Sequence, residues 1–248
     1  MRLLALDIGN TAVTYGFFEK KRLQRHGSVV HYDIPKIIKN WSKSGAVINT
    51  YVLISSVVPF MTLKIKKALW GSGTKIGVIG SSLKVPLRHR YRNIKQLGSD
   101  RVLNIYGALQ MYKPPILILD FGTAITADYI SGKGVFEGGM IIPGPEIAFQ
   151  TLIHRAALLP KKSRLPEKSI TFLGRTSYEC MESGILEGYG AMTDGLVERF
   201  KARFGKNLKI LATGGFARHL KPHTHSIDIF DPLHSLKSLC LIFQNYCR

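Results

Sequence analysis

Residues 3–14 read LLALDIGNTAVT, and residues 116–126 read ILILDFGTAIT. In both stretches a four-residue apolar run ends in an aspartate, Asp7 or Asp120, and a glycine turn leads into a second apolar run. A turn-prone glycine between two apolar runs is typical of a β-hairpin. Once one residue is gapped, both copies also share the pattern Thr-Ala-x-Thr. We therefore predict an internal repeat, with a related hairpin near the start of each half of the chain.

Further strand and helix patterns follow each hairpin. Residues 52–58 and 209–213 are apolar runs typical of buried strands, whereas residues 60–70 and 177–203 carry apolar positions at helical spacing. Strands mixed with helices predict an α/β fold with mixed β-sheets flanked by helices. Two consecutive prolines at 114 and 115 end a predicted helix near the middle of the chain. We place the boundary there, with halves at residues 1–113 and 114–248.

The composition is that of an ordinary globular protein. The chain has 248 residues, of which 45% are hydrophobic and 21% charged, so it is neither too short for a core nor disordered. Its three cysteines are odd in number and form no Cys-x-x-Cys pair, which favours a reducing compartment. No apolar stretch approaches the roughly 18 residues that a membrane span needs. We expect a cytoplasmic protein without a membrane partner.

The charge balance is unusual, because 35 Lys and Arg stand against 16 Asp and Glu, a net charge of +19. Such a field attracts anions of many kinds, including nucleotides and nucleic acids. The basic residues are spread along the chain and never form a run of five or six. We interpret them mainly as solvated surface and do not expect a nucleic-acid partner, although a regulatory or nucleic-acid-associated protein remains an alternative.

The two hairpin turns have the chemistry of a phosphate site. Glycine lets backbone N–H groups come close to an anion, and threonine hydroxyls add hydrogen bonds to phosphate oxygens. An aspartate beside a phosphate would be repelled by it, so its role there is to hold a cation. A single copy would be explained equally well as an ordinary turn, but two copies predict a polyphosphate held between the two halves.

Residues 98–101 read GSDR and precede a helical pattern. One interpretation is structural, with Ser99 or Asp100 as the helix N-cap. The other is a substrate site at a helix N-terminus, in which Arg101 pairs with a carboxylate. In that case Asp100 would accept the proton of an alcohol that attacks a phosphoryl group. The residues alone leave both interpretations open.

Taken in order, these motifs resemble those of the type III pantothenate kinase family. The resemblance runs from residue 3 to about residue 217 and is specific as an ordered set rather than motif by motif. It is carried by residues 7–11 (DIGNT), 54–59 (ISSVVP), 98–101 (GSDR), 120–124 (DFGTA), 138–144 (GGMIIPG), 174–177 (GRTS) and 213–215 (TGG).

The resemblance implies the fold of acetate and sugar kinases, Hsp70 and actin, with two ribonuclease-H-like halves. It implies ATP-dependent phosphorylation of pantothenate to 4'-phosphopantothenate, the first step of coenzyme A synthesis. The alternative is a regulatory or nucleic-acid-associated protein with this fold and little kinase activity. The family further implies Mg²⁺, a monovalent cation (K⁺ or NH₄⁺) and a homodimer.

The resemblance also implies roles for individual residues. ATP phosphates would be bound by Asp7, Ile8, Gly9, Asn10, Thr11, Ala12, Val13, Thr14 and Thr123, and the monovalent cation by Asp120. Pantothenate would be bound by Tyr91, Gly98, Ser99, Asp100, Arg101 and Ser177. Asp100 would be the proton acceptor. Ser177 and Ser99 replace a usual Thr and a usual Ala, and we expect these changes to alter affinity more than activity.

Overall fold

The computed structural model describes residues 2–43, 49–161 and 171–247, and the chain forms two compact units. Unit 1 comprises Met1–Tyr112 together with Leu233–Arg248, and unit 2 comprises Lys113–Pro232. The C-terminal segment thus joins unit 1, whereas the sequence had placed all of residues 114–248 in the second half. The physical reason is a helix near the C-terminus that buries its apolar side chains among those of unit 1.

Unit 1 is built on a mixed five-stranded sheet in the order β3-β2-β1-β4-β5. The first three strands are antiparallel neighbours, and β4 and β5 run parallel to β1. Its elements are β1 (Arg2–Ile8), β2 (Ala12–Glu19), β3 (Arg22–Val30), α1 (Ile34–Lys43), β4 (Thr50–Ser56), α2 (Pro59–Ala68), β5 (Ile76–Val78), a 3-10 helix (Ile94–Gln96), α3 (Ser99–Met111) and α7 (His234–Tyr246).

Unit 2 repeats this topology strand by strand. Its elements are β6 (Ile116–Phe121), β7 (Ala124–Ile130), β8 (Phe136–Pro143), α4 (Pro145–Arg155), α5 (Ser177–Phe204), β9 (Lys209–Thr213), α6 (Ala217–Leu220), a 3-10 helix (Lys221–His223) and β10 (Ile229–Phe230). The sheet order is β8-β7-β6-β9-β10, again with three antiparallel strands and two parallel ones. The two predicted hairpins, the internal repeat and the predicted α/β class are confirmed.

The first strand of unit 1 has a central apolar run, residues 3–6, because both of its faces are covered there. Side chains alternate across a strand, so Leu4 and Leu6 face one way and Leu3 and Ala5 the other. The first pair packs with residues of α1 and α2. The second pair packs with residues of α3 and α7. A strand buried on two faces has a continuous apolar run in its sequence, and residues 3–6 of β1 show this pattern.

The α3–α7 contact depends on a glycine. A Cβ at Gly107 would overlap the Ser238 side chain, so only glycine permits this approach of the two helices. The Ser238 hydroxyl is satisfied within α7, because it donates to the His234 carbonyl at 2.7 Å. The His234 ring in turn donates from Nε2 to the Asn104 carbonyl at 2.9 Å. These contacts fix the start of α7, and with it Ser235, beside the end of β1.

None of the described helices combines the length and the apolar character needed to cross a membrane.

Candidate active site

Asp7 lies near the end of β1, in register with Thr14 of β2 and Ser55 of β4. Burial raises the pKa of this carboxyl to about 6. Hydrogen bonds from Ser235 and Ser55 lower the pKa of Asp7. The negative charge of Asp100 raises this pKa further. Two carboxyl groups from different elements of unit 1, Asp7 and Asp100, therefore lie close enough to influence each other.

The turn after Asp7 is closed by a hydrogen bond from the Gly9 N–H to the Ala12 carbonyl at 3.1 Å. Asn10 and Thr11 form its exposed tip. A tight turn with an exposed tip is a kind of site at which backbone N–H groups can bind an anion, and the phosphate role of residues 7–14 stays a prediction.

Ser99 ties the start of α3 to the end of β4. Its hydroxyl donates to the Ser56 carbonyl at 2.8 Å and accepts from the Ser56 N–H at 3.0 Å. The N-cap of α3 is Gly98, which has no side chain to cap the helix. The N-cap role considered for Ser99 or Asp100 is therefore filled by neither residue.

Asp100 turns back over the start of its own helix. Its Oδ1 accepts a hydrogen bond from the Arg101 N–H at 2.8 Å. A Cβ at Gly98 would overlap that same Oδ1, so the glycine makes room for this conformation. The other carboxylate oxygen of Asp100 has no hydrogen-bond partner among the residues that the structure describes. The group is thus positioned by one oxygen and able to accept a proton with the other.

Arg101 and Tyr91 form the adjoining part of this site. Arg101 is buried, and its guanidinium lies 5.6 Å from the centre of the Tyr91 ring. At this distance the cation and the ring attract each other. The structure therefore brings Tyr91 and residues 98–101 together in unit 1, where they combine a carboxylate with a buried cation. That combination suits a substrate that carries both an alcohol and a negative charge.

In unit 2, Asp120 lies at the equivalent end of β6, in register with Thr126 and Thr213. A Cβ at Gly214, whose φ is 93°, would overlap Asp120 Oδ1 and the Phe121 backbone. Only glycine tolerates both the crowding and this φ. The carboxylate is an oxygen ligand of the kind that alkali and alkaline-earth cations prefer. Among the described residues no group of three or more His, Cys, Asp or Glu could hold a metal ion, so any cation at Asp120 needs further oxygens from the backbone or a ligand.

Thr123 lies in the turn between β6 and β7 of unit 2. The Gly122 N–H donates to the Ala124 carbonyl at 3.2 Å, which closes the turn as in unit 1. The Thr123 carbonyl accepts from the Gly144 N–H at 3.1 Å. Thr123 is thus held at a hairpin tip equivalent to the one that follows Asp7.

Ser177 is the first residue of α5, whose N-terminus is fixed by two hydrogen bonds that resemble a capping box, except that Glu179 bonds the residue before the N-cap. Thr176 Oγ1 accepts from the Glu179 N–H at 3.2 Å, and Glu179 Oε2 accepts from the Arg175 N–H at 2.7 Å. A cavity of about 490 Å³ opens at this helix end. It is lined by Leu152, Leu159, Gly174, Arg175, Thr176, Ser177, Cys180 and Met181. Ser177 therefore borders this cavity in unit 2.

Two hydrogen-bond donors to Asp7 were not predicted as site residues. Ser55 stands in a motif that carries the family resemblance, so its position on β4 gave a usable signal. Ser235 gave none, because it reaches Asp7 only through the packing of α7 in unit 1.

These features define the class of protein. Two sheets of equivalent topology, each with an aspartate where its first strand ends, form the duplicated ribonuclease-H-like fold of sugar kinases and actin-like proteins. The same fold occurs in a candidate N-acetylmannosamine kinase from Listeria monocytogenes, with a TM-score of 0.55, 12% identity and 100% of both chains covered. It also occurs in the activator of 2-hydroxyisocaproyl-CoA dehydratase from Clostridium difficile, solved with ADPNP, with a TM-score of 0.55, 11% identity and coverage of 98% and 95%.

The sequence identifies the family. Residues 3–199 match the family model of type III pantothenate kinase. The chain is 32% identical to a type III pantothenate kinase from Syntrophus aciditrophicus over 253 aligned positions, and the alignment covers 98% of both chains. The chain belongs to the type III pantothenate kinase family. It is accordingly an ATP-using kinase of coenzyme A synthesis.

Proposed function

We propose that the chain transfers the γ-phosphoryl group of ATP to the primary hydroxyl of pantothenate, giving 4'-phosphopantothenate, with Asp100 as the proton acceptor. The observation that carries the assignment of Asp100 is its geometry. One carboxylate oxygen is held by the Arg101 N–H, and the other has no partner among the described residues. A general base needs a fixed orientation and an oxygen available to the substrate, and Asp100 has both.

In this mechanism Asp100 orients the hydroxyl and accepts its proton as the oxygen attacks the γ-phosphorus. The bond from that phosphorus to the β–γ bridging oxygen breaks, and ADP leaves in line with the attack. Arg101 supplies a buried positive charge for pantothenate, and Tyr91 holds the guanidinium from the side. This chemistry relies on positioning. The two hydrogen bonds between the Ser99 hydroxyl and the Ser56 backbone contribute to catalysis because they fix the start of α3.

We assign the ATP phosphates to residues 7–14 of unit 1 and to Thr123 of unit 2. Both turns offer backbone N–H groups and threonine hydroxyls, which match phosphate oxygens. The Asp7 carboxylate fits a role beside Mg²⁺, which usually takes one or two carboxylates in addition to phosphate oxygens and water. Bound Mg²⁺ neutralises charge that develops on the transferred group. Asp120 is the proposed ligand of K⁺ or NH₄⁺.

Gly98, Ser99 and Ser177 complete the proposed pantothenate site. Gly98 makes room for the Asp100 carboxylate, and Ser99 holds the backbone beneath it. Ser177 offers a hydroxyl at the cavity in unit 2. Since the Ser99 hydroxyl already bonds both backbone groups of Ser56, its contribution to substrate affinity is through position rather than direct contact.

We also propose a homodimer in the cytoplasm. β8 is an edge strand of the described sheet of unit 2, and Met140 and Ile141 on it are exposed. Ile147 and Leu152 of the following helix are exposed as well. Exposed apolar side chains at a free strand edge favour association with another protein surface. The three cysteines are free thiols, which agrees with a reducing compartment.

The test is ADP release from Mg²⁺-ATP with and without pantothenate, in K⁺ and in Na⁺ buffers, with the product identified by mass spectrometry. The proposal predicts saturable, K⁺-stimulated turnover and one added phosphoryl group on pantothenate. The net charge of +19 is the observation that favours the alternative, a regulatory or nucleic-acid-associated protein. Tight, steeply salt-dependent DNA binding without turnover would support that alternative and exclude the kinase.

A further inference from the structure

The turn after β1 is held from the side by His31, a residue that no motif singled out. β3 ends at Val30, which pairs with Ala12 at the start of β2. His31, the residue after β3, therefore lies beside the turn between β1 and β2. His31 Nε2 lies 2.7 Å from the Gly9 carbonyl oxygen. A carbonyl oxygen only accepts hydrogen bonds, so Nε2 carries the proton and donates it to Gly9.

This hydrogen bond fixes the orientation of the Gly9–Asn10 peptide. In a planar trans peptide the carbonyl and the following N–H point in opposite directions. With the Gly9 carbonyl turned toward His31, the Asn10 N–H is directed away from His31. Glycine and asparagine are the two residue types that most readily tolerate the flipped peptide. The sequence of the turn thus permits both orientations, and His31 stabilises one of them.

Unit 2 has an equivalent hydrogen bond to its hairpin turn, made by a different donor group. β8 ends at Pro143, which pairs with Ala124, and the next residue is Gly144. Its N–H donates to the Thr123 carbonyl at 3.1 Å. A Cβ at Gly144 would overlap the Gly122 and Thr123 carbonyl oxygens. In both units, then, the residue after the third strand donates to a carbonyl of the hairpin turn. Unit 2 uses a backbone donor and unit 1 a side chain.

We propose that His31 is a positioning residue for ATP. It selects the peptide orientation in which the Asn10 N–H is presented to a phosphate and the Gly9 carbonyl is turned away from it. A carbonyl oxygen facing a phosphate would repel it, so the flipped turn binds nucleotide weakly. This inference rests on the proposed assignment of residues 7–14 to ATP phosphates and adds a determinant that lies outside that segment.

The test compares three variants. His31→Phe keeps an aromatic ring and removes the donor, and His31→Gln restores a donor of similar reach. Tyr32→Ala changes the neighbouring residue, which is 93% exposed, and serves as the control. We expect His31→Phe to raise the dissociation constant of Mg²⁺-ADPNP and the KM for ATP about tenfold, the equivalent of one hydrogen bond. The KM for pantothenate should stay within about twofold, His31→Gln should recover most of the affinity, and Tyr32→Ala should match the wild type.

Binding of ADPNP is measured by calorimetry without turnover, so the two proposals fail separately. If the wild type binds ADPNP and does not phosphorylate pantothenate, the kinase assignment fails while His31 is still tested. Equal ADPNP affinity in His31→Phe and the wild type overturns the role of His31, as does a lack of recovery in His31→Gln. If the wild type does not bind ADPNP, both proposals are wrong.

A second readout covers the case in which His31→Phe does not fold. In ¹⁵N-labelled wild-type protein, ADPNP should shift the Asn10 amide resonance strongly, because that N–H receives the phosphate. The amide of Gly73, an exposed residue in the loop after α2, provides the reference. An Asn10 resonance that moves no more than that of Gly73 overturns the proposal.

Discussion

The Ser99 hydroxyl donates to the Ser56 carbonyl at 2.8 Å and accepts from the Ser56 N–H at 3.0 Å. One side chain therefore satisfies both backbone groups of a residue 43 positions earlier in the chain. Ser55, beside it, is a hydrogen-bond partner of Asp7. Asp100 follows Ser99 on α3. The two hydrogen bonds thus connect β4, which carries the hydrogen-bond partner of Asp7, to α3, which carries Asp100.

Replacing Ser99 by alanine should lower the stability of the fold with little effect on the rate of phosphoryl transfer. The change leaves the Ser56 N–H and carbonyl without this partner, and we expect the free energy of unfolding to fall by about 1–2 kcal/mol. Asp100 keeps its own bond to the Arg101 N–H, so kcat should fall less than about tenfold. Urea unfolding and steady-state kinetics measure the two quantities. Ser81→Ala, at an exposed serine, is the control and should change stability by less than about 0.5 kcal/mol. A similarly small effect for Ser99→Ala would show that the two hydrogen bonds to Ser56 contribute little to stability.

The raised pKa of Asp7, to about 6, predicts a pH-dependent stability. The folded protein holds the Asp7 proton more tightly than the unfolded chain, whose carboxyl has a pKa near 3.8. Its stabilising contribution is complete below pH 3.8 and is lost as the pH rises through about 6. Asp7→Asn stays neutral, so relative to the wild type it should gain about 2 kcal/mol of unfolding free energy between pH 4.5 and pH 7.5. Urea unfolding of the metal-free proteins at these two pH values tests this. A difference that does not change with pH would mean that Asp7 titrates normally.

The hairpins were predictable because their signal is local. In both copies the strand, its terminal aspartate and the glycine turn are adjacent in the sequence, and the structure confirms them as β1–β2 and β6–β7. β9 (Lys209–Thr213) was also predicted to the residue, since a short apolar run ends there in a glycine pair. These elements needed no knowledge of distant contacts.

The elements that escaped prediction depend on distant contacts or lack an apolar signal. β3 exposes most of its side chains, so its sequence carries little strand periodicity, and its pairing with β2 places it at the edge of the sheet. The membership of α7 in unit 1 depends on the space at Gly107 for Ser238. The sequence of residues 233–247 alone gives no sign of the space beside Gly107. The contribution of Ser235 to the Asp7 site and that of His31 to the Gly9 turn were missed for the same reason.

The exposed edge of β8 predicts the oligomeric state. Ile141 is 66% exposed on this strand, and Ile141→Asp would place a charge in the proposed dimer interface. Burying an unpaired carboxylate is costly, so the dimer dissociation constant should rise at least about 100-fold. Light scattering coupled to size-exclusion chromatography at micromolar concentration measures the change. Leu63→Asp, at an apolar residue of α2 that is 57% exposed, is the matched control and should remain dimeric. A wild-type protein that elutes with the mass of one chain would contradict the homodimer.

Asp100→Asn tests the proton acceptor directly. The amide is nearly the same size as the carboxylate, and its oxygen can still accept from the Arg101 N–H, so the melting temperature should change little. What is lost is the ability to take up a proton, and we expect kcat to fall about 10³-fold with a much smaller change in the KM for ATP. Ser177→Ala is the comparison, because loss of the proposed contact with pantothenate should raise the KM for pantothenate without removing the proposed base. A rate within tenfold of the wild type in Asp100→Asn would exclude Asp100 as the base and leave it an orienting role at most.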